Sequence, residues 1–229
     1  MTLPSLCAVC RGWGRTRVCG TCRVRFAVAR PRCRYCALPL PAGMEACGEC
    51  TLLPSALDRT VAAVDYGFPW DRLVTALKFN DALDLAGTLA GLLCEAVERE
   101  GSSSGVDLIV PVPLSRERLR ERGFNQAWEL ARRAGRRLGI TADAKALIRL
   151  KDSPHQLSLP RNERADNVRG IFAVEAAHAT SLRGRTVAVV DDVMTTGATM
   201  RELADVLHRA GAMEVQAWVV ARTEPPPTA

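Results

Sequence analysis

Along most of this chain two hydrophobic rhythms alternate. Short, largely β-branched apolar runs cover residues 60–66, 106–112, 171–174, 187–190 and 214–221, each bounded by polar or turn-forming residues. Between them, apolar side chains recur every three or four positions over 70–79, 84–99, 124–138 and 200–209. Continuous apolar runs predict strands buried on both faces, and the wider spacing predicts amphipathic helices. Strand and helix taken in turn give an α/β fold, a parallel sheet flanked by helices. Residues 1–57 follow neither rhythm. Their few large apolar side chains (Leu3, Leu6, Trp13, Phe26, Leu38, Leu40) are too few for a core of their own. The pattern thus predicts a small N-terminal domain over 1–57, an α/β domain over 58–222 and a frayed, proline-rich tail over 223–229.

The run at 187–190 meets two acids, Asp191 and Asp192, and then Thr195, Thr196, Gly197, Ala198 and Thr199 before helical spacing resumes at Met200. A loop from a strand's carboxyl end into a helix N-terminus is where α/β sheets bind ligands. Free backbone N–H groups, the positive end of the helix dipole and threonine hydroxyls make a phosphate cradle there, and Gly197 lets the backbone close on the anion. Two carboxylates would repel a bare polyphosphate, yet they accept hydrogen bonds from vicinal hydroxyls. Acids for a sugar diol beside a cradle for its phosphate describe a reader of ribose 5-phosphate. The plainer alternative is a strand ending in a solvated Asp-Asp turn with a threonine helix cap.

Eight of the nine cysteines lie in the first 57 residues as four CxxC turns: Cys7/Cys10, Cys19/Cys22, Cys33/Cys36 and Cys47/Cys50. One turn aims two thiolates at an ion and two turns complete a tetrahedral Zn²⁺ site, so four make two closed, structural sites. The spacing favours sequential pairing and leaves a crossed one open. Disulfides are disfavoured because no secretory signal opens the sequence, which predicts a reducing, cytoplasmic setting. A thioredoxin-like redox role needs one such turn at a helix start, not four in series. Zinc would then supply the folding energy of this segment. Cys94 falls on the apolar stripe of the 84–99 helix and is expected in the core.

Charge sharpens the picture in one place. The first 57 residues carry eight arginines against Glu45 and Glu49, whereas the remainder carries twenty-three bases and twenty-three acids. Two Cys₄ sites at −2 each lower the segment's surplus of +6 to about +2. An arginine-rich surface for an acidic partner remains, nucleic acid first. Arg116, Arg118, Arg120 and Arg122 form a second basic cluster. As a helix this stretch sets like charges at i,i+4 and opposite ones at i,i+3, which leaves helix and irregular loop both open. Aromatic platforms for a single strand are few near these clusters: Trp13, Phe26, Tyr35 and Phe124. Pro111-Val112-Pro113 must turn the 106–112 strand out of its sheet. The long polar stretch 151–169, without periodicity, predicts a functional or disordered loop. His155, His178 and His208 have no metal-like or triad-like company and are expected as exposed polar residues. No apolar run reaches the roughly 18 residues of a membrane span, so no membrane insertion is expected.

The paired cysteines, Leu77-Lys78-Phe79, Val110-Pro111-Val112-Pro113-Leu114, Arg122-Gly123-Phe124-Asn125-Gln126, Gln156, Arg164, Asn167 and the 187–200 segment together resemble the ComF family of competence-associated, phosphoribosyltransferase-like proteins. The resemblance runs over nearly the whole chain. Residues 187–200 resemble the phosphoribosyl pyrophosphate (PRPP) signature of type I phosphoribosyltransferases. This implies a type I phosphoribosyltransferase-like sheet preceded by a double zinc ribbon. The α/β part looks most like that of glutamine PRPP amidotransferases, with zinc ribbons where those enzymes carry their glutaminase. Carried onto this sequence, Asp191 and Asp192 would bind the ribose hydroxyls, and Thr195, Thr196, Gly197, Ala198 and Thr199 the 5′-phosphate. Pro111, Val112, Pro113, Leu114 and Ser115 would form the pyrophosphate loop. Lys151, Gln156, Arg161 and Arg164 would belong to a hood loop closing over pyrophosphate. Ser115 departs from the histidine common in the family. The resemblance also implies Mg²⁺ bound with PRPP, single-stranded DNA as a partner, and a competence or helicase-type protein as another. Three functions stand side by side: a PRPP-binding protein of single-stranded DNA handling with its acceptor unassigned, an active pentosyltransferase on a small-molecule or nucleotide acceptor, and a zinc-ribbon scaffold with a vestigial site.

Overall fold

The computed structural model describes residues 4–53, 55–79, 82–150 and 170–224. The N-terminal segment holds an antiparallel pair, β1 (Ser5–Leu6) and β2 (Trp13–Gly14), and two short helices, α1 (Gly20–Phe26) and α2 (Gly48–Leu52). Next come β3 (Arg59–Asp65), α3 (Trp70–Phe79), α4 (Leu85–Arg99) and β4 (Leu108–Pro111). They are followed by α5 (Arg116–Arg122), α6 (Gln126–Leu138) and β5 (Thr141–Ala142). An antiparallel pair, β6 (Leu147–Arg149) and β7 (Phe172–Val174), precedes the short helix α7 (Ala179–Leu182). The chain closes with β8 (Thr186–Met194), α8 (Ala198–Arg209) and β9 (Glu214–Arg222). Five strands form one parallel sheet in the order β3-β9-β8-β4-β5.

The expected parallel sheet with helices on both faces is what the apolar rhythms build. Along β8, Ala188 and Val190 point into the core shared with α3, α4 and α6, while Val187 and Val189 point into the core shared with α8. Both sets are fully buried, as a period of two on a doubly covered strand requires. Cys94 lies in the first of these cores, where its apolar stripe puts it. The N-terminal segment contributes to both: Cys7, Val18 and Cys22 pack with one core, and Cys33, Cys36 and Leu57 with the other. It therefore straddles the sheet rather than hanging from it.

Three local readings change or are resolved by the structure. The 187–190 strand was expected to end at the two acids, but β8 runs on to Met194, paired with β9 as far as Met194↔Arg222. What ends at Val190 is its pairing with β4. Val112 N–H makes one more bond, to Val190 O (2.9 Å), and Pro113 then has no N–H to offer. The acids thus lie on a strand flanked on one side and open on the other. The arginine-rich stretch does form a helix, α5, because both ends are capped: Ser115 Oγ accepts the Arg118 N–H (3.2 Å) and Gly123 takes a left-handed φ of 75°. The third change concerns histidines. His178 and His208 are half-buried: His178 Nδ1 lies 2.6 Å from Asp143 Oδ2, and the His208 ring lies within hydrogen-bond distance of the Ala56 and Ala212 carbonyls. Their partners are distant in sequence, so no local pattern announces them. His155 lies outside the described residues. Among the described residues no helix is long and apolar enough to cross a membrane.

Candidate functional site

The eight N-terminal cysteines assemble sequentially. Cys7, Cys10, Cys19 and Cys22 bring their sulfurs within 4.8 Å of one another, and so do Cys33, Cys36, Cys47 and Cys50. The two halves repeat one backbone motif. Cys19 N–H points at Cys7 Sγ (3.3 Å), as Cys47 N–H points at Cys33 Sγ (3.3 Å). Arg11 N–H donates to Cys7 O (2.9 Å), as Ala37 N–H donates to Cys33 O (2.8 Å). Arg11 and Ala37 both sit at positive φ, 62° and 55°, an unfavourable state for a residue with a Cβ. The chain accepts it because it must fold back after the second cysteine to aim both sulfurs inward. Sulfurs at 3.7 Å (Cys10–Cys19) and 3.6 Å (Cys36–Cys47) match the roughly 3.8 Å that a tetrahedron of 2.3 Å Zn–S bonds requires. Burial alone would raise the Cys7 and Cys33 thiols, but backbone N–H groups outweigh it and bring them down to about 6 and about 7. The donor set and its size fit zinc.

The second constellation lies in a pocket of about 150 Å³ at the open side of β8. Its walls include Asp191 and Asp192, Val112, Pro113 and Leu114 from the turn after β4, Thr199 from the first turn of α8, and Arg118 from α5. The structure therefore brings together parts of three separately expected elements: the acids, the pyrophosphate-loop segment and the phosphate loop. Gly197 takes a φ of 77° and opens α8, and Thr196 Oγ1 accepts the Ala198 N–H (3.3 Å). The left-handed turn at Gly197 asks for glycine; a Cβ there would also meet Met194 Cε at 2.5 Å, the movable end of a flexible side chain. Ser115 is buried and spends its hydroxyl on the α5 cap, which gives it a structural use in this chain. Lys151, Gln156, Arg161 and Arg164 lie outside the described residues.

Lys78 and Gln126, which belong to the Leu77–Phe79 and Arg122–Gln126 motifs but had no site role expected of them, complete the pocket. Lys78 Nζ lies 2.5 Å from Asp192 Oδ2, and Gln126 Nε2 donates to Asp192 Oδ1 (3.2 Å). Arg122 in turn donates to Gln126 Oε1 (2.5 Å) and covers the Phe79 ring at 5.0 Å. Of the four clustered arginines, Arg116, Arg118 and Arg120 are exposed, while Arg122 turns inward to this network. Burial and the neighbouring Asp192 charge push the Asp191 carboxyl well above the usual carboxylate range. Burial acts on Asp192 as well, but the Lys78 ammonium outweighs it and holds that carboxyl below the range. The pair divides into one acid kept charged by its lysine and one kept reluctant to ionise.

A carboxyl whose folded value is raised takes up a proton on folding. Stability is then lost as pH rises from the unfolded value, about 3.9, through the folded one. Asp191→Asn is therefore expected to stabilise the free protein at neutral pH by about 0.5–2 kcal/mol, the range typical when a functionally costly residue is relieved. Thermal unfolding between pH 4 and 8 checks this, and a variant less stable than the parent at pH 7 would contradict the assignment.

A model of the phosphoribosyl transferase domain matches residues 125–225. DNA utilization protein YhgH of Escherichia coli strain K12 is 34% identical over 229 residues, spanning 97% of this chain and 99% of that protein. Competence protein F of Haemophilus influenzae is 32% identical over 222 residues, spanning 94% and 96%. Among solved structures, the glutamine PRPP amidotransferase of B. subtilis complexed with ADP and GMP is 20% identical, at a TM-score of 0.39 over 58% of this chain and 25% of that one. With a phosphoribosyltransferase domain, a parallel sheet behind two cysteine tetrads and relatives matched end to end, this chain belongs to the ComF family.

Proposed function

We propose that the protein binds PRPP in the β8–α8 pocket and does so in the service of single-stranded DNA handling. The observation that carries the first part is the meeting of Asp191 and Asp192 with residues 112–114 and Thr199 around one cavity. In this reading the acids accept hydrogen bonds from the ribose diol, and Thr195–Thr199 hold the 5′-phosphate at the start of α8. The turn at 111–115, next to exposed Arg118, faces the pyrophosphate. Residues 1–57 are the zinc-bearing part and 58–222 the ligand-binding part. Asp191 lines the pocket and would offer a hard oxygen to Mg²⁺, while Asp192 is engaged by Lys78. When bound, Mg²⁺ would neutralise pyrophosphate charge.

Calorimetric titration with PRPP tests this. Binding is expected in Mg²⁺ and weaker without it, and Asp191→Ala/Asp192→Ala should lower affinity at least tenfold, since a hydrogen bond to a charged group is worth about 1.5–3 kcal/mol. Equal affinity in parent and double variant would remove the ribose-reader assignment.

The DNA part rests on the surface. Trp13 is 76% exposed between exposed Arg11 and Arg15, an aromatic platform beside two cations. A separate hollow of about 370 Å³ at the seam with the α/β part is lined by Arg30, Arg32, Arg34, Arg59 and Arg99, with Glu45 and Glu100 the acids among them. Weak, sequence-tolerant binding to oligo-dT is expected, falling steeply with salt. Replacing Arg11 and Arg15 by glutamate should weaken it and flatten the salt slope by roughly one unit per lost contact. No binding even at low salt would assign the basic surface to a protein partner instead.

A further inference from the structure

The phosphate loop and the second cysteine tetrad are far apart in sequence, and one buried side chain spans them. Arg222 ends β9 and is 3% exposed. Its Nε donates to the Cys36 carbonyl at 2.6 Å. Its Nη1 donates to the Met194 carbonyl at 3.2 Å and to the carbonyls of Thr195 and Thr223. We propose that Arg222 is a positioning residue that couples metal held by Cys33, Cys36, Cys47 and Cys50 to the phosphate loop, so that ligand binding at Thr195–Thr199 and metal retention at this tetrad strengthen each other. The inference rests on the PRPP reading above.

On the loop side, the peptide plane supplies the mechanism. In a trans peptide the C=O and N–H point in opposite directions. Holding the carbonyls of Met194 and Thr195 on Arg222 therefore turns the N–H groups of Thr195 and Thr196 away from it. Thr195 and Thr196 are the two residues immediately before Gly197 and the start of α8. Met194 O also accepts the Thr223 N–H (3.0 Å), so the strand register and the guanidinium fix the same peptide. A flat, rigid fork suits this task in a way a lysine ammonium does not.

On the metal side, Cys36 is the second cysteine of its CxxC turn, and Ala37 follows it at a φ of 55°. That strained turn has its shape because two sulfurs must face one ion. With the ion removed, four closely set thiols have no reason to hold it, and the Cys36 carbonyl is released from the place where Arg222 meets it. A buried guanidinium that loses an acceptor must find another or leave. Either movement disturbs the Met194 and Thr195 carbonyls. The first tetrad supplies an internal control, because Cys7 and Cys22 pack with the core on the opposite face of the sheet from Cys33 and Cys36.

Coupling of this kind is reciprocal: whatever factor the metal adds to ligand affinity, the ligand adds to metal affinity. The test uses the full-length zinc-loaded protein. A chelator and an alkylating agent are added with and without PRPP and Mg²⁺, and labelling of each cysteine is followed by peptide mass mapping. PRPP is expected to slow labelling of Cys33, Cys36, Cys47 and Cys50 by about tenfold and to leave Cys7, Cys10, Cys19 and Cys22 unchanged. Arg222→Lys should abolish the difference between the tetrads. Equal slowing of both tetrads, or of neither, while calorimetry shows PRPP bound, would overturn the coupling and leave the PRPP reading intact. If PRPP does not bind the parent at all, both fall. The parent protein alone decides the matter, so a variant that fails to fold does not obstruct it.

Discussion

Exhaustive chelation of the purified protein is expected to release about two zinc ions and to unfold the N-terminal segment from Cys7 to Leu52. Within the segment itself there is little regular structure to hold its shape. Its helices are seven and five residues long, well below the length at which a helix persists unaided, and its one strand pair has two residues a side. Structural zinc in modules of this size contributes on the order of 10–16 kcal/mol at neutral pH, so its loss exceeds anything the local packing can offset. The effect should also reach the sheet. Arg23 pairs with Glu95 on α4, Trp70 Nε1 donates to the Phe26 carbonyl (2.8 Å), and Thr60 Oγ1 donates to the Tyr35 carbonyl (2.7 Å). Each of these ties depends on a segment that the metal would shape. Metal analysis before and after chelation, with amide exchange followed by region, reads both outcomes. A protein free of zinc whose N-terminal segment stays protected from exchange would refute the structural-zinc assignment.

How far the sequence carries the fold depends on whether a feature is local. Strands such as 187–190 and helices such as 84–99 are legible because burial imposes a period on consecutive residues. The CxxC turns are legible because two ligands to one ion must be close in the chain. Sequential pairing of the tetrads was favoured by that spacing but needed the three-dimensional course of the backbone to settle it. The repeat that relates the two halves of the segment escapes the sequence, since it lives in a positive φ at Arg11 and Ala37 and in N–H groups aimed at sulfur. The acids stood out as a motif, yet the strand carrying them runs on to Met194 because β9 supports it after β4 has left. Lys78, Gln126 and Arg222 are the larger omissions. Lys78 is one of three lysines in the chain and sits in the Leu77-Lys78-Phe79 triplet, a signal that marks it without saying what it touches. Its partner Asp192 lies on β8, far along the chain from α3, and Arg222 meets Cys36 across almost the full length of the chain. Pairings of that range follow from the sheet order, which periodicity does not specify.

Replacing Lys78 by methionine is expected to destabilise the protein by about 3–5 kcal/mol, the cost of stranding one member of a buried ion pair. Asp192 is 2% exposed and its Oδ2 faces the Lys78 ammonium, so without the lysine the carboxylate keeps no cation of its own, only neutral contacts such as the Gln126 amide opposite Oδ1 and the Asp191 carboxyl. Methionine keeps most of the side-chain volume, so the loss measures charge rather than a cavity. Adding Asp192→Asn to the Lys78→Met chain should recover most of the stability, because two neutral side chains owe no desolvation penalty for charge. The dependence on pH gives an independent reading. In the parent, Lys78 holds Asp192 below the usual carboxylate range. Its contribution is present above the unfolded value, about 3.9, and is lost as pH falls through the folded one. In Lys78→Met the sign reverses: burial now raises Asp192, its protonation relieves the cost, and the variant should gain stability relative to the parent as pH falls from 7 towards 5. Denaturant unfolding of the parent, both single variants and the double variant at pH 7 and pH 5 resolves both effects. If Lys78→Met loses less than 1 kcal/mol at pH 7 and Asp192→Asn restores nothing, the pair is not what keeps Asp192 charged, and the division of labour between the two acids has another cause.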